Sequence, residues 1–214
     1  MISDAGASDT HARESAKARP RVVVAPVSCS PATHLLSNGQ YHVMLTAAGG
    51  GYSVWNGDAI TRWREDGVMD DWGSFVYLRD SRAGKIWSAG FAPTMESADT
   101  CTATFAQEKA EFERIDANFK TTMEIVVSPE DNAEARCITI TNRGRFLREI
   151  EITTYAELVL APAASDEAHP AFSKMFVETE FVPEHNALVA LRRRRSTNGT
   201  VIFVSHFILV RGNV

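Results

Sequence analysis

After Pro20 the chain alternates apolar and polar residues with period two almost throughout, the spacing of half-buried strands. Tyr41-His42-Val43-Met44-Leu45 is the first clear strand, entered through the turn signal Ser37-Asn38-Gly39. Ala47-Ala48-Gly49-Gly50-Gly51 breaks it, and Tyr52-Ser53-Val54-Trp55 resumes the alternation. Asn56-Gly57 is a strong type I′ hairpin signal, so Asp58-Ala59-Ile60-Thr61 is expected to pair back. Further strands are predicted over Ser74 to Leu78, Lys85 to Ser88, Thr100 to Phe105, Ala110 to Asp116, Phe119 to Val127 and Ala135 to Thr141. Asn142-Arg143-Gly144 reads as a turn. Arg148 to Leu160 is predicted as one strand, with Ile150, Ile152, Thr154, Ala156 and Leu158 on one face. Phe172 to Val182, Leu188 to Leu191 and Val201 to Val210 follow, with Asn198-Gly199 expected to close a last hairpin.

This amounts to about a dozen strands and no convincing amphipathic helix; Ala106 to Glu113 reads better as paired strands. Short strands at regular spacing, joined by Gly, Asn and Pro turns, predict an all-β fold: a large antiparallel two-sheet sandwich. Residues 1–20 read as a disordered lead-in, rich in Ala, Ser, Asp, Arg and Lys, and residues 21–214 as the domain. The last apolar strand runs almost to Val214, so the sandwich is expected to be truncated at its C-terminal end.

Composition narrows the partners. Of 214 residues 44% are hydrophobic, ordinary for a globular protein, and the formal net charge is −5. An acidic chain is a poor partner for nucleic acid, whose phosphates need a basic field. The run Arg192 to Arg195 is the basic exception and reads as a solvated strand edge. Three cysteines, Cys29, Cys101 and Cys137, with no C-x-x-C spacing, suit a reducing compartment and a cytoplasmic domain. Cys137, in the apolar alternation Cys137-Ile138-Thr139-Ile140, is expected to be a small core residue. No stretch reaches the ~20 apolar residues that cross a bilayer, so no direct membrane insertion is expected. Met1 to Pro20 has no apolar signal-peptide core.

Candidate chemistry concentrates around four tryptophans, Trp55, Trp63, Trp72 and Trp87, set among Arg62, Arg64, Glu65, Asp66, Asp70 and Asp71. Aromatic plates bordered by guanidiniums and carboxylates suit the flat C–H faces and hydroxyl rims of sugars. Each ring taken singly is better read as filling the space between two sheets; Arg62-Trp63-Arg64 is the set most expected at an exposed or interface position, because two arginines flank the ring. His169, Phe172 and Lys174 form a second candidate group, joining a proton-transfer group, an aromatic and a cation, with Asp166 and Glu167 just before them. An ordered surface loop is the competing reading. Glu65-Asp66 and Asp70-Asp71 are carboxylate pairs of the kind glycosidases use, though adjacent acids in a polar loop are ordinarily solvated. The glycines at Gly49 to Gly51 are not a phosphate-binding motif and are expected to allow a tight corner or a close approach by another segment. His34, His42, His185 and His206 are scattered without metal-ligand spacing. Ser28, Ser30 and Ser173 lack a nucleophile-elbow context. No catalytic residue, metal or cofactor is assigned.

Several blocks read together carry a resemblance: Thr33 to Tyr41, Gly49 to Trp55, Thr61-Arg62-Trp63-Arg64, Trp72 to Asp80, Ile86 to Gly90, Ser128-Pro129-Glu130-Asp131, Thr141-Asn142, Tyr155-Ala156-Glu157 and His169 to Glu180. They resemble the N-terminal sandwich of the inverting glycoside phosphorylases (cellobiose and chitobiose phosphorylases, glycoside hydrolase family 94). Within that group they are most similar to the C-terminal region of bacterial cyclic β-1,2-glucan synthases. The resemblance runs from about Pro31 to about Arg193. It implies a galactose-mutarotase-like supersandwich preceding a catalytic (α/α) barrel that carries the general acid. It implies a non-catalytic carbohydrate-binding or scaffold role in a β-glucan-processing enzyme, with β-glucan or oligosaccharide and the barrel as partners. A homodimer and a parent that uses inorganic phosphate or is associated with the inner membrane are further implications. Two other readings stand beside it: a dimerisation module without sugar binding, and a mutarotase-like epimerase using His169 with Glu178 or Glu180.

Overall fold

The computed structural model describes residues 19–24, 32–65, 70–194 and 201–211. Most of the lead-in, Ser28, Cys29, Ser30, Asp66, Arg195 and the Asn198-Gly199 turn lie outside these residues. The described chain holds sixteen strands and two short α-helices. The strands are β1 (Arg21–Val24), β2 (Thr33–Ser37), β3 (Tyr41–Thr46), β4 (Gly51–Trp55), β5 (Asp58–Thr61), β6 (Ser74–Asp80), β7 (Ile86–Ser88) and β8 (Thr100–Phe105). They continue with β9 (Ala110–Asp116), β10 (Phe119–Val127), β11 (Glu134–Asn142), β12 (Ile150–Ala156), β13 (Leu158–Pro162), β14 (Val177–Val182), β15 (Ala187–Arg192) and β16 (Phe203–Phe207). The helices α1 (Ala163–Ala168) and α2 (Pro170–Lys174) lie between β13 and β14.

The fold is all-β and antiparallel, as the alternation predicts. Its hydrogen-bond ladders divide into four sheets: β1-β8-β9-β10-β11, β12-β6-β7, β13-β5-β4-β3-β2 and β14-β15-β16. One core draws buried side chains from all of them. Leu36, Val43, Leu45 and Leu160 come from one five-stranded sheet, and Ala103, Phe105, Phe112, Phe119, Met123 and Ile125 from the other. Val76, Leu78 and Trp87 come from the sheet of β6, and Ala190 from that of β15. The His34 ring stacks on Phe105 with centroids 4.9 Å apart, and Trp87 on Phe119 at 5.9 Å, fastening opposed layers.

Local turn chemistry explains the hairpins. Asn56 (φ 48°) and Gly57 (φ 88°) both take the left-handed conformation that a type I′ turn requires, and Trp55 pairs with Asp58 across it. At Gly51 φ is +142°, and a Cβ there would lie 1.9 Å from the Met44 carbonyl oxygen. The glycine run is therefore a corner where backbone approaches backbone, as expected.

Three local expectations are corrected. The predicted strand Arg148 to Leu160 breaks at Glu157, with β12 joining β6 and β13 joining β5 in another sheet. Ile152 on its supposed inner face is exposed. Phe172 is helical rather than extended, because Pro170 suits a first helical turn and the strand starts only at Val177. Cys137 is exposed: β11 turns Ile138 and Ile140 toward the core, and period two then points Cys137 outward.

Candidate functional site

The segment leaving β5 carries the most organised polar cluster. Arg62 is 4% exposed, and its guanidinium donates to both oxygens of Asp166 in α1, Nε at 2.8 Å and Nη2 at 2.7 Å. Its Nη1 donates to Glu157 at 2.5 Å, and its backbone N–H reaches the Glu157 carbonyl at 2.8 Å. Arg64 adds a third guanidinium contact, Nη2 to Asp166 Oδ2 at 2.5 Å. Lys174 of α2 pairs with Glu157 at 3.1 Å, and the Tyr155 hydroxyl donates to the same carboxylate at 2.9 Å. Two carboxylates thus tie the segment after β5, the end of β12 and both helices together. Glu157 sits where the single strand expected over Arg148 to Leu160 breaks between two sheets, and Asp166 lies in a short helix beyond it, so local pattern alone did not mark them as partners of Arg62.

This network presents aromatic rings. Trp63 stands between the two arginines, half-buried, with its ring tilted 60° to Tyr52 at 5.5 Å. Arg64 lies over the Trp72 ring, 6.0 Å from its centroid. Arg62, Trp63, Arg64, Trp72 and Lys174 are therefore gathered at one place, joined by Tyr52, Tyr155, Glu157 and Asp166. Phe172 is half-exposed on α2, edge-on to Phe176 at 5.1 Å. His169, between the helices, is exposed, and its carbonyl accepts the Ser173 N–H at 2.9 Å. Trp87 is 1% exposed and fills the core. Trp55 is packed against that core, with a buried indole N–H that finds no acceptor among the described residues. These two rings take the interior role, and Trp87 offers no surface to a sugar.

The electrostatics favour fixed charge over proton transfer. Burial opposes ionisation of Asp166, yet hydrogen bonds and charge from Arg62 and Arg64 outweigh it and hold the carboxyl at about 2. Glu157 is likewise lowered, burial being offset by Lys174, Tyr155 and Arg62. Both acids are ionised at neutral pH and have no proton to give a leaving group. The other carboxylates are also engaged or solvated: Asp70 accepts the Thr46 hydroxyl, while Glu65 and Asp71 are exposed. Glu178 pairs with Arg193 at 3.1 Å, and no hydrogen bond joins it or Glu180 to His169 among the described residues. No group of three or more His, Cys, Asp or Glu among the described residues is arranged to hold a metal ion. No described helix is long and apolar enough to cross a membrane.

Comparison with known proteins places this geometry. Residues 19–213 match the family model described as glycosyl hydrolase 94, supersandwich domain. The chain is 41% identical over 188 residues to the cyclic β-(1,2)-glucan synthase NdvB of Rhizobium meliloti, covering 88% of this chain and 7% of that protein. It is 25% identical over 174 residues to the N,N′-diacetylchitobiose phosphorylase of Vibrio proteolyticus, covering 77% of this chain and 21% of the relative. To the solabiose phosphorylase of Paenibacillus borealis it is 24% identical over 118 residues, 54% of this chain and 15% of that protein. The chain thus spans a small part of each relative. With the family model matched over residues 19–213 and an all-β antiparallel fold to accompany it, the chain belongs to the glycosyl hydrolase 94 family and constitutes its supersandwich domain.

Proposed function

We propose that this domain is a non-catalytic carbohydrate-contacting scaffold of a β-glucan-processing enzyme, shaping the glucan cleft of a catalytic (α/α) barrel. The observation that carries the reading is the aromatic ridge of Tyr52, Trp63 and Trp72, locked by the Arg62–Asp166 and Arg64–Asp166 ion pairs. Locking a ring in place lowers the entropy lost when a sugar stacks on it. Both nearby carboxylates are neutralised by cations, which suits positioning rather than bond cleavage. The names of the relatives, a β-(1,2)-glucan synthase and two disaccharide phosphorylases, support an oligosaccharide as the ligand. They also support a parent enzyme that transfers glycosyl groups, with inorganic phosphate as an acceptor.

Titration of the 214-residue chain with β-1,2-glucan oligomers, followed by calorimetry and tryptophan fluorescence, tests the recognition. Saturable heat with a fluorescence change is expected; a flat response in both would leave only the scaffold role.

A second reading, a docking or dimerisation face, is favoured by a separate observation. Phe203 and Phe207 share one face of β16 and are 72% and 57% exposed; Leu191, paired with Phe203, and Ile208, Leu209 and Val210 just beyond the strand are exposed too. Apolar surface of this extent marks an interface. A strictly monomeric sedimentation profile at high concentration would count against self-association and in favour of the barrel as the covering partner.

A further inference from the structure

A second groove lies far along the chain from the tryptophans and shares no residue with them. Asn118, in the turn between β9 and β10, faces the loop that carries the chain from β11 to β12, that is, from one sheet to another. Asn142, Arg143, Gly144, Arg145, Phe146 and Arg148 line the rest of a cavity of about 320 Å³. That volume falls in the range of roughly 300–1,000 Å³ common to small-molecule sites.

The loop is held rather than loose. The Arg143 N–H donates to the Asn118 carbonyl at 2.7 Å. The Asn142 side chain accepts from the Gly144 N–H at 2.9 Å and donates to the Phe146 carbonyl at 2.8 Å. A Cβ at Gly144 would come within 3.1 Å of Asn142 Oδ1 and 3.3 Å of Asn118 Cβ, so the side chains of both asparagines press close against the loop there. Arg148 forms the fixed wall: it pairs with Asp80 and lies over the Phe119 ring at 5.6 Å.

Charge is unbalanced in the groove. Three guanidiniums line it, and Asp80 answers that of Arg148. Arg143 and Arg145 form no ion pair among the described residues, on a chain whose formal charge is −5. Phe146, 76% exposed, supplies an apolar wall beside them. Unpaired guanidiniums beside an amide and an aromatic ring are the chemistry that recognises an oxyanion on a compact polar body.

We infer that this groove binds a small sugar-sized ligand carrying a phosphoryl or carboxylate group. Arg143 and Arg145 grip the oxyanion, Asn118 donates to or accepts from a hydroxyl, and Phe146 stacks on the body.

The test titrates the 214-residue chain with glucose 6-phosphate, glucuronate, inorganic phosphate and glucose, following amide shifts by two-dimensional NMR. Shifts on Asn118 and on Asn142 to Arg148 are expected with one or both anionic sugars, and the stronger of the two names the oxyanion. Glucose and inorganic phosphate are expected to bind about tenfold or more weakly. The double variant Arg143→Gln/Arg145→Gln is expected to lose about tenfold or more in affinity with an unchanged melting temperature, since neither guanidinium holds another part of the fold. Absence of shifts with both anionic sugars would overturn the proposal. So would equal binding of glucose or inorganic phosphate, or unaltered affinity in a folded double variant.

Discussion

Arg62 and Asp166 stand 104 residues apart in sequence and meet in a two-pronged ion pair, at 2.8 and 2.7 Å, with the acid wholly buried. The pair ties the strand that launches the tryptophan segment to the helix that follows β13. A charge buried this way is costly to expose unpaired, so each partner depends on the other.

Asp166→Asn is therefore expected to destabilise the domain by about 3–5 kcal/mol, the range for breaking a buried pair from one side. Urea unfolding followed by circular dichroism measures it. Trp63 emission is expected to shift to the red in the same variant, because the segment that holds its ring is released. An unchanged unfolding midpoint would mean that Asp166 is dispensable to the fold.

The same pair predicts an acid limb. The folded Asp166 carboxyl titrates at about 2, below its unfolded range near 4. Its stabilisation is complete above about pH 4 and is lost as the pH falls through 4 toward 2, since the unfolded chain takes up the proton first. The stability difference between the parent chain and Asp166→Asn is expected to be constant from pH 5 to 8 and to shrink below about pH 4. A difference that stays constant down to pH 2 would contradict the assignment.

Arg114 offers an independent check on the core. It is fully buried, doubly bonded to Asp116 at 2.7 Å, and donates to the carbonyls of Ser88, Gly90 and Glu96. Arg114→Met keeps much of the side-chain volume but strands three carbonyls and leaves Asp116 only the Lys85 ammonium at 3.7 Å. A loss of about 3–5 kcal/mol is expected, and Arg114→Lys is expected to recover only part of it, because an ammonium cannot reproduce the planar fork.

Two tryptophans separate stability from recognition. Trp87→Ala is expected to cost about 3–5 kcal/mol by emptying space against Phe119. Trp63→Ala is expected to cost clearly less while abolishing the fluorescence response to β-1,2-glucan oligomers. Comparing melting temperatures and titrations of the two variants checks both expectations. Retained glucan response in Trp63→Ala would remove the aromatic ridge from the proposed role.

Gly51→Ala tests the backbone corner. The added methyl meets the Met44 carbonyl and a left-handed φ. Loss of soluble folded protein is expected, whereas Gly57→Ala at the open hairpin tip, where a Cβ meets nothing within 4 Å, is expected to cost only about 1 kcal/mol.

Much of this architecture was legible from short-range signals. The hairpins at Asn56-Gly57 and at the glycine corner follow from local turn chemistry, and the strand spans around Phe119 and Ala110 follow from alternation. What alternation lacks is parity: it does not say which of two faces is inside. Cys137 was expected in the core and lies outside for that reason. It also lacks sheet membership, so the run from Arg148 to Leu160 read as one strand although it serves two sheets. The candidate residues around Trp63 were partly readable, because arginines flanking an aromatic mark an unusual strand exit. Their anchors Glu157 and Asp166 were not, because pairing across a hundred residues leaves no periodic trace.

The order of apolar and polar residues, with its glycine and asparagine turns, was enough to establish an antiparallel β domain, while the family followed from the likeness of particular residue blocks such as Thr61-Arg62-Trp63-Arg64. These are short-range preferences, written within a few residues of where they act. Which face each strand buries, which tryptophans reach the surface, and which acid receives Arg62 came from the folded arrangement alone. Burial and charge pairing are settled by neighbours brought together across sheets, and a linear alternation carries no record of distance in space.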